Sequence, residues 1–142
     1  MSTSETHVPL TRTDERAATV NIVLWIAQIL LAAMFVSAGL AKCTQPIDKL
    51  AQKMSWVTHY KPGTVRFVGV AESLGAIGLI LPQATGIAPI LTPIAAVALA
   101  VVMVLASFYH FHQKEFSGIG LNAVLFFLAV FVAWGRFTAL GG

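Results

Sequence analysis

The sequence predicts an all-α integral membrane protein: a four-helix bundle, up-down-up-down, with a short amphipathic interfacial helix after the first span. Composition is the first reason. Of 142 residues, 57% are hydrophobic and 11% charged, against roughly 25% charged in a typical soluble domain. The chain lacks the polar side chains needed to cover a water-soluble globule. The second reason is where charges are missing: 25 residues between Arg16 and Lys42, 41 from Ser73 to Gln113 and 20 from Phe116 to Gly135 carry none. A spanning helix takes about 20 apolar residues, so these runs hold one, two and one spans. The third is length, which allows a single domain.

Residues 1–18 form a polar tail and residues 19–142 the transmembrane domain. The first span is expected at 19–41, closed by Lys42. A retained span fits better than a signal peptide, whose apolar stretch runs only about 7–15 residues. Within the loop 43–64, Pro46 can open a helix in which Ile47, Leu50, Met54 and Val57 recur at spacings of three and four. Asp48, Lys49, Gln52 and Lys53 take the other face. Such a helix lies in the headgroup plane, with Trp56 and Tyr60 as aromatic anchors. The second span is expected at 64–81, followed by a hairpin over Pro82–Gly86. The third is expected at 87–109, with Pro89 and Pro93 in its first turns, and the fourth at 119–137, with Trp134 and Arg136 at an interface. Ala33, Ser37 and Ala41, and Ala71, Gly75 and Gly78, form small-residue stripes of the kind along which helices approach in lipid.

A net charge of +3 does not make a nucleic-acid surface, because the nine basic residues are dispersed and form no patch. Their positions set an orientation instead. Lys42, Lys49, Lys53, Lys61, Arg66 and Lys114 lie towards the first and third loops; Arg12, Arg16 and Arg136 lie towards the other face. By the positive-inside rule the first and third loops are cytoplasmic, although Arg12 and Arg16 ahead of the first span pull the other way. The single cysteine, Cys43, excludes an intramolecular disulfide and a self-contained CxxC relay.

Glu72 is the exception to the charge pattern. It stands inside the second span, where an ionised carboxylate is costly and normally faces the bundle interior with a partner. Two readings follow: a proton-transfer or ligand-binding carboxylate, or a buried charge pair that fixes helix register. Lys42, Arg66, His110, His112 and Asn122 all fall at helix ends on the same side of an antiparallel bundle. Arg66 points about 120° away from Glu72 around the helix, so Lys42 or His110 of a neighbouring helix is the better partner. The candidate intramembrane cluster is therefore Glu72, Arg66, Lys42, His110 and Asn122. No metal site is expected: His110 and His112 are two apart, on different helix faces, with no HExxH, CxxC or carboxylate cluster beside them.

The segments Phe35-Val36-Ser37-Ala38-Gly39-Leu40-Ala41-Lys42, Arg66-Phe67-Val68-Gly69-Val70-Ala71-Glu72 and Gly75-Ala76-Ile77-Gly78-Leu79-Ile80-Leu81-Pro82 resemble the DoxX-like family of small four-helix membrane proteins. The closing Val132-Ala133-Trp134-Gly135-Arg136 is similar to that family's usual end. The resemblance implies the four-helix topology and marks Lys42, Arg66, Glu72, a helix-three histidine and Arg136 as recurrent polar positions. It implies association with membrane redox complexes that are quinone-linked, so a quinone is the cofactor to consider; the chain itself encodes none. The expected partners are the lipid bilayer and either redox subunits or further copies of the chain, with no nucleic acid, in a bacterial inner membrane. Two other functions remain open: a binder or transporter of a small lipophilic molecule, and a non-catalytic assembly subunit.

Overall fold

The computed structural model describes residues 8–141; the first seven residues of the expected polar tail lie outside that range. Five helices follow in order: α1 (Arg12–Thr44), α2 (Ile47–Lys53), α3 (Pro62–Thr85), α4 (Leu91–His112) and α5 (Phe116–Gly141), with a 3₁₀ turn at Ser55–His59 between α2 and α3. Four of them, α1, α3, α4 and α5, are long and apolar enough to cross a membrane. No strand occurs among the described residues. The closest packing is within the pairs α1–α3 and α4–α5, with α3–α4 and α1–α5 closing the bundle.

The helices start and stop at places set by local chemistry. α1 begins at Arg12, not Thr19, because Thr11 and Asp14 form a reciprocal capping box. Each side chain there satisfies an orphan backbone N–H of the other. The resulting 33 residues extend about 50 Å, well beyond a hydrocarbon core of roughly 30 Å. The stretch 12–18 of the expected tail is therefore the first turns of a helix. α3 runs through Pro82 to Thr85, where a hairpin over Pro82–Gly86 was expected. Pro82 falls in the last turn, so it removes one backbone bond without stopping the helix at once. Gly86, at φ +71°, ends it in the left-handed conformation that glycine adopts without strain. The expected start of the next span at 87 gives way to a turn, and α4 opens at Leu91 with Pro93 inside its first turn, where a missing N–H costs nothing.

α4 continues through His110 to His112 and is closed by Lys114 at φ +57°. The Glu115 N–H donates to the His110 carbonyl at 2.9 Å, the i→i−5 bond of a left-handed helix terminus. This tight turn, shorter than the expected 110–118 connection, brings Glu115 back over the end of α4.

The bundle core is an apolar stack of Leu31, Phe35, Leu79, Leu99, Met103, Ala129 and Val132, among others. The outward faces carry Ile26, Phe67, Leu74, Phe108 and Phe127, all exposed. An apolar exterior of this extent is the surface a bilayer covers. The segment expected to lie flat in the headgroups instead folds onto the bundle. Leu50 and Val57 are fully buried against Val65, with Ile47, Met54, Trp56 and Ala41 around them. Its chain breaks at Met54 into α2 and the 3₁₀ turn, which lets Val57 turn inward along with Leu50.

The small-residue stripes are also displaced. Ala33, Ser37 and Ala71 face outward. The tight α1–α3 crossing runs through Gly39 and Gly69: a Cβ on Gly69 would lie 2.7 Å from the Lys42 Cβ and 2.8 Å from the Gly39 carbonyl oxygen. Gly75 and Gly78 make room for Leu99 and Ala95 of α4.

Candidate functional site

The close α1–α3 crossing is what brings Lys42 and Glu72 together. In a helix the side chain leans toward the N-terminus, so Lys42, in the last turn of α1, reaches back into the bundle. Its Nζ donates to Glu72 Oε2 at 2.5 Å, with Lys42 6% and Glu72 4% exposed. The Trp56 ring lies 5.8 Å from the ammonium, so the 3₁₀ turn roofs the pair with an aromatic face that attracts a cation.

Arg66 does not join Glu72. Its Nη1 donates to the Lys42 backbone carbonyl, and the carbonyl of Arg66 lies 3.9 Å from Cys43 Sγ. Arg66 thus ties the start of α3 to the end of α1, completing one otherwise orphaned carbonyl at a helix C-terminus. Asn122 is buried on α5, and its Nδ2 has no partner. His110 belongs to a separate arrangement. Its Nδ1 stands 3.0 Å from Glu115 Oε2, while Ser55 Oγ donates to the other oxygen, Glu115 Oε1, at 2.6 Å. Tyr109 and His59 share a hydrogen bond of 2.9 Å beside it. Of the five sequence-predicted residues, then, the structure joins Lys42 directly to Glu72 and Arg66 to the Lys42 backbone. His110 is engaged by a residue of the connecting turn, and His112 is exposed.

Glu115 carries a titratable consequence. The Ser55 hydroxyl first, and then the His110 ring, hold its carboxyl below the ordinary value. A depressed carboxylate stabilises the fold above its unfolded pKa, and that contribution is lost as pH falls through the folded value. We expect amide hydrogen exchange in residues 55–59 to accelerate below the ordinary glutamate range. Glu115→Gln should show the faster exchange already at neutral pH. Equal protection of the two proteins at neutral pH would refute the tether.

A second polar cluster lies at the opposite end of the bundle. Arg136 was expected at an interface, yet it is 3% exposed, whereas its neighbour Trp134 is 65% exposed. Arg136 Nε donates to Gln28 Oε1 at 2.6 Å and Nη1 to Asn21 Oδ1 at 2.7 Å. Gln28 in turn donates through Nε2 to the Leu79 carbonyl at 2.5 Å. Trp25 covers the guanidinium at 5.4 Å. Gln28 and Asn21 are uncharged and so invisible to a count of charges; a glutamine in the middle of Ile26-Ala27-Gln28-Ile29-Leu30 is the available signal.

Two grooves run between α4 and α5 on the lipid-facing side. One, of about 500 Å³, is walled by Met103, Ser107, Phe108, Phe111, Phe126 and Phe127, and ends at Ile119. The other, of about 370 Å³, continues past Val104 and Phe126 to Ala133, Trp134 and Phe137. Neither is lined by Glu72 or Lys42. Among the described residues no group of three or more His, Cys, Asp or Glu side chains could hold a metal ion.

No curated protein and no solved structure matches the chain at a significant level. A family model described as the DoxX-like family matches residues 26–132, a stretch that takes in α1 from its second third through most of α5, and the chain is a membrane protein that belongs to the DoxX-like family.

Proposed function

We propose that the protein is a membrane subunit of a quinone-linked redox complex and seats the quinone ring in the aromatic groove between α4 and α5. The observation that carries this reading is the aromatic lining of that groove, with the His110–Glu115 pair just outside its wall. Phe108, Phe111, Phe126 and Phe127 offer ring faces for offset or edge-on packing, and Ser107 contributes the hydroxyl in the wall. The groove ends at Ile119, next to Gly118, on which the His110 ring sits. A bound quinone would supply two-electron, two-proton chemistry; His110, whose Nδ1 is held by Glu115, offers a ring nitrogen that can pass a proton. Electrons would pass to a partner subunit. With six of nine basic residues towards the first and third loops, this end faces the cytoplasm of a bacterial inner membrane.

Photolabelling of native membranes with an azido-quinone tests the proposal. Label should saturate and map to residues 103–127. Phe108→Ala, at an exposed wall position, should weaken labelling roughly fivefold, the loss of about 1 kcal/mol of ring packing. Unsaturable label spread over all outward-facing residues would reject it.

A second reading, a non-catalytic assembly subunit, is favoured by the Lys42–Glu72 pair, which closes on itself and lines neither of the two grooves. Binding or transport of another small lipophilic molecule would use the same groove; liposome flux equal to that of protein-free controls would leave no role in transport.

A further inference from the structure

We infer that the end of the bundle around Arg136 binds the phosphate of an anionic phospholipid, with an acyl chain in the α4–α5 groove beside it. The unbalanced charge is the starting point. Among the described residues the ion pairs are Lys42–Glu72 and His110–Glu115; Arg136 faces only the neutral oxygens of Gln28 and Asn21 and the ring of Trp25. A guanidinium has five N–H donors, and here Nη2 is buried without any partner. Buried arginine in a membrane protein pairs with something, and a planar fork of donors suits a phosphate.

Thr92 supplies the second unsatisfied group. Its Oγ1 is buried without a partner, and the residue is fully buried. The helix register puts it at the depth of Arg136 on the neighbouring helix. His110 of α4 packs on Gly118 of α5; Thr92 lies 18 residues before His110 and Arg136 18 residues after Gly118. Eighteen residues are five full helical turns, so both positions return to the same facing sides, level with each other. A hydroxyl that can donate and a guanidinium edge that must donate therefore converge at one depth.

The surroundings select a lipid over a free ion. Trp25 lies over Arg136 and Trp134 is exposed within a turn of it on α5, and tryptophan concentrates at headgroup depth. The groove of about 370 Å³ runs from Leu105 along Val101 and Val97 to Trp134 and Phe137, so an acyl chain can follow it away from the phosphate. A net-negative headgroup balances Arg136, whereas a zwitterionic one brings its own ammonium.

The test is thermal unfolding of the full chain in neutral detergent, with phosphatidylglycerol, phosphatidylcholine or inorganic phosphate added at equal concentrations. Phosphatidylglycerol should raise Tm by roughly 5 °C or more at saturation, with little effect from the other two. Arg136→Gln should abolish that preference. Should Arg136→Gln fail to fold, Thr92→Val decides: without lipid it should be as stable as the natural protein or more so, because it removes an unpartnered hydroxyl. Its affinity for phosphatidylglycerol should nevertheless fall about fivefold. Equal shifts with both lipids, or an equal shift with inorganic phosphate, would overturn the lipid assignment. So would a lipid-free loss in Glu5→Gln matching that in Arg136→Gln, since the counter-charge would then come from the chain itself.

Discussion

Lys42→Met and Glu72→Leu should each cost about 3–5 kcal/mol of stability, whereas the double substitution should fall within about 1 kcal/mol of the natural protein. Each single change leaves one ion in the bundle interior without its counter-charge, 2.5 Å from where that charge stood. Together they leave two apolar side chains of similar length in its place. Lys42→Met loses a further ~0.5–1 kcal/mol from the contact with Trp56, so it should be the worse of the two. Glu72→Gln keeps a hydrogen-bond acceptor for Lys42 and should lie between Glu72→Leu and the natural protein. Unfolding in detergent, followed by tryptophan fluorescence, reads all four. Single substitutions that change stability by less than about 0.5 kcal/mol would mean that the pair is not what holds α1 to α3.

The same four variants separate two roles for Glu72. If the pair only fixes register, the double variant regains cellular activity together with abundance. If Glu72 handles protons or touches a ligand, abundance returns and activity does not. Groove labelling by quinone should survive in the double variant, because neither groove is lined by these residues.

Charge placement along the chain makes much of this architecture readable. The four spans follow from uncharged runs because a bilayer admits few ions, and Glu72 stood out by breaking that rule. Helix ends were less readable, because they depend on single local bonds. Thr11 and Asp14 carry α1 into a polar stretch that composition alone assigns to a tail. Pro82 is a break signal that the last turn of α3 tolerates. The amphipathic pattern of Ile47, Leu50, Met54 and Val57 was correct in its period, but periodicity does not tell a lipid surface from a protein one. Leu50 and Val57 found Val65. The second cluster was hidden for another reason. Its ligands to Arg136 are Gln28 and Asn21, and neutral polar residues leave no mark in a charge count.

Gly69→Ala should cost about 1–3 kcal/mol, while Gly63→Ala, six residues earlier in the first turn of the same helix, should be neutral or stabilising by up to about 1 kcal/mol. Both lie in α3, and both replacements remove unfolded-chain entropy equally, so the difference isolates packing. Nothing lies within 4 Å of a Cβ at Gly63, whereas at Gly69 the new methyl meets the Lys42 Cβ and the Gly39 carbonyl. A flexible side-chain tip could swing aside, but these are a backbone oxygen and the first atom of a side chain, which move only if α1 moves. Separation of the helices would loosen the Arg66 bond to the Lys42 carbonyl and lengthen the Lys42–Glu72 contact. Part of the cost should persist in the Lys42→Met, Glu72→Leu background, because methionine keeps the Cβ and Gly39 keeps its carbonyl. Detergent unfolding of the glycine variants in both backgrounds gives the comparison. A cost that vanishes in the uncharged background would assign the close approach to the ion pair; a cost that remains makes the glycine contact the cause and the ion pair its consequence.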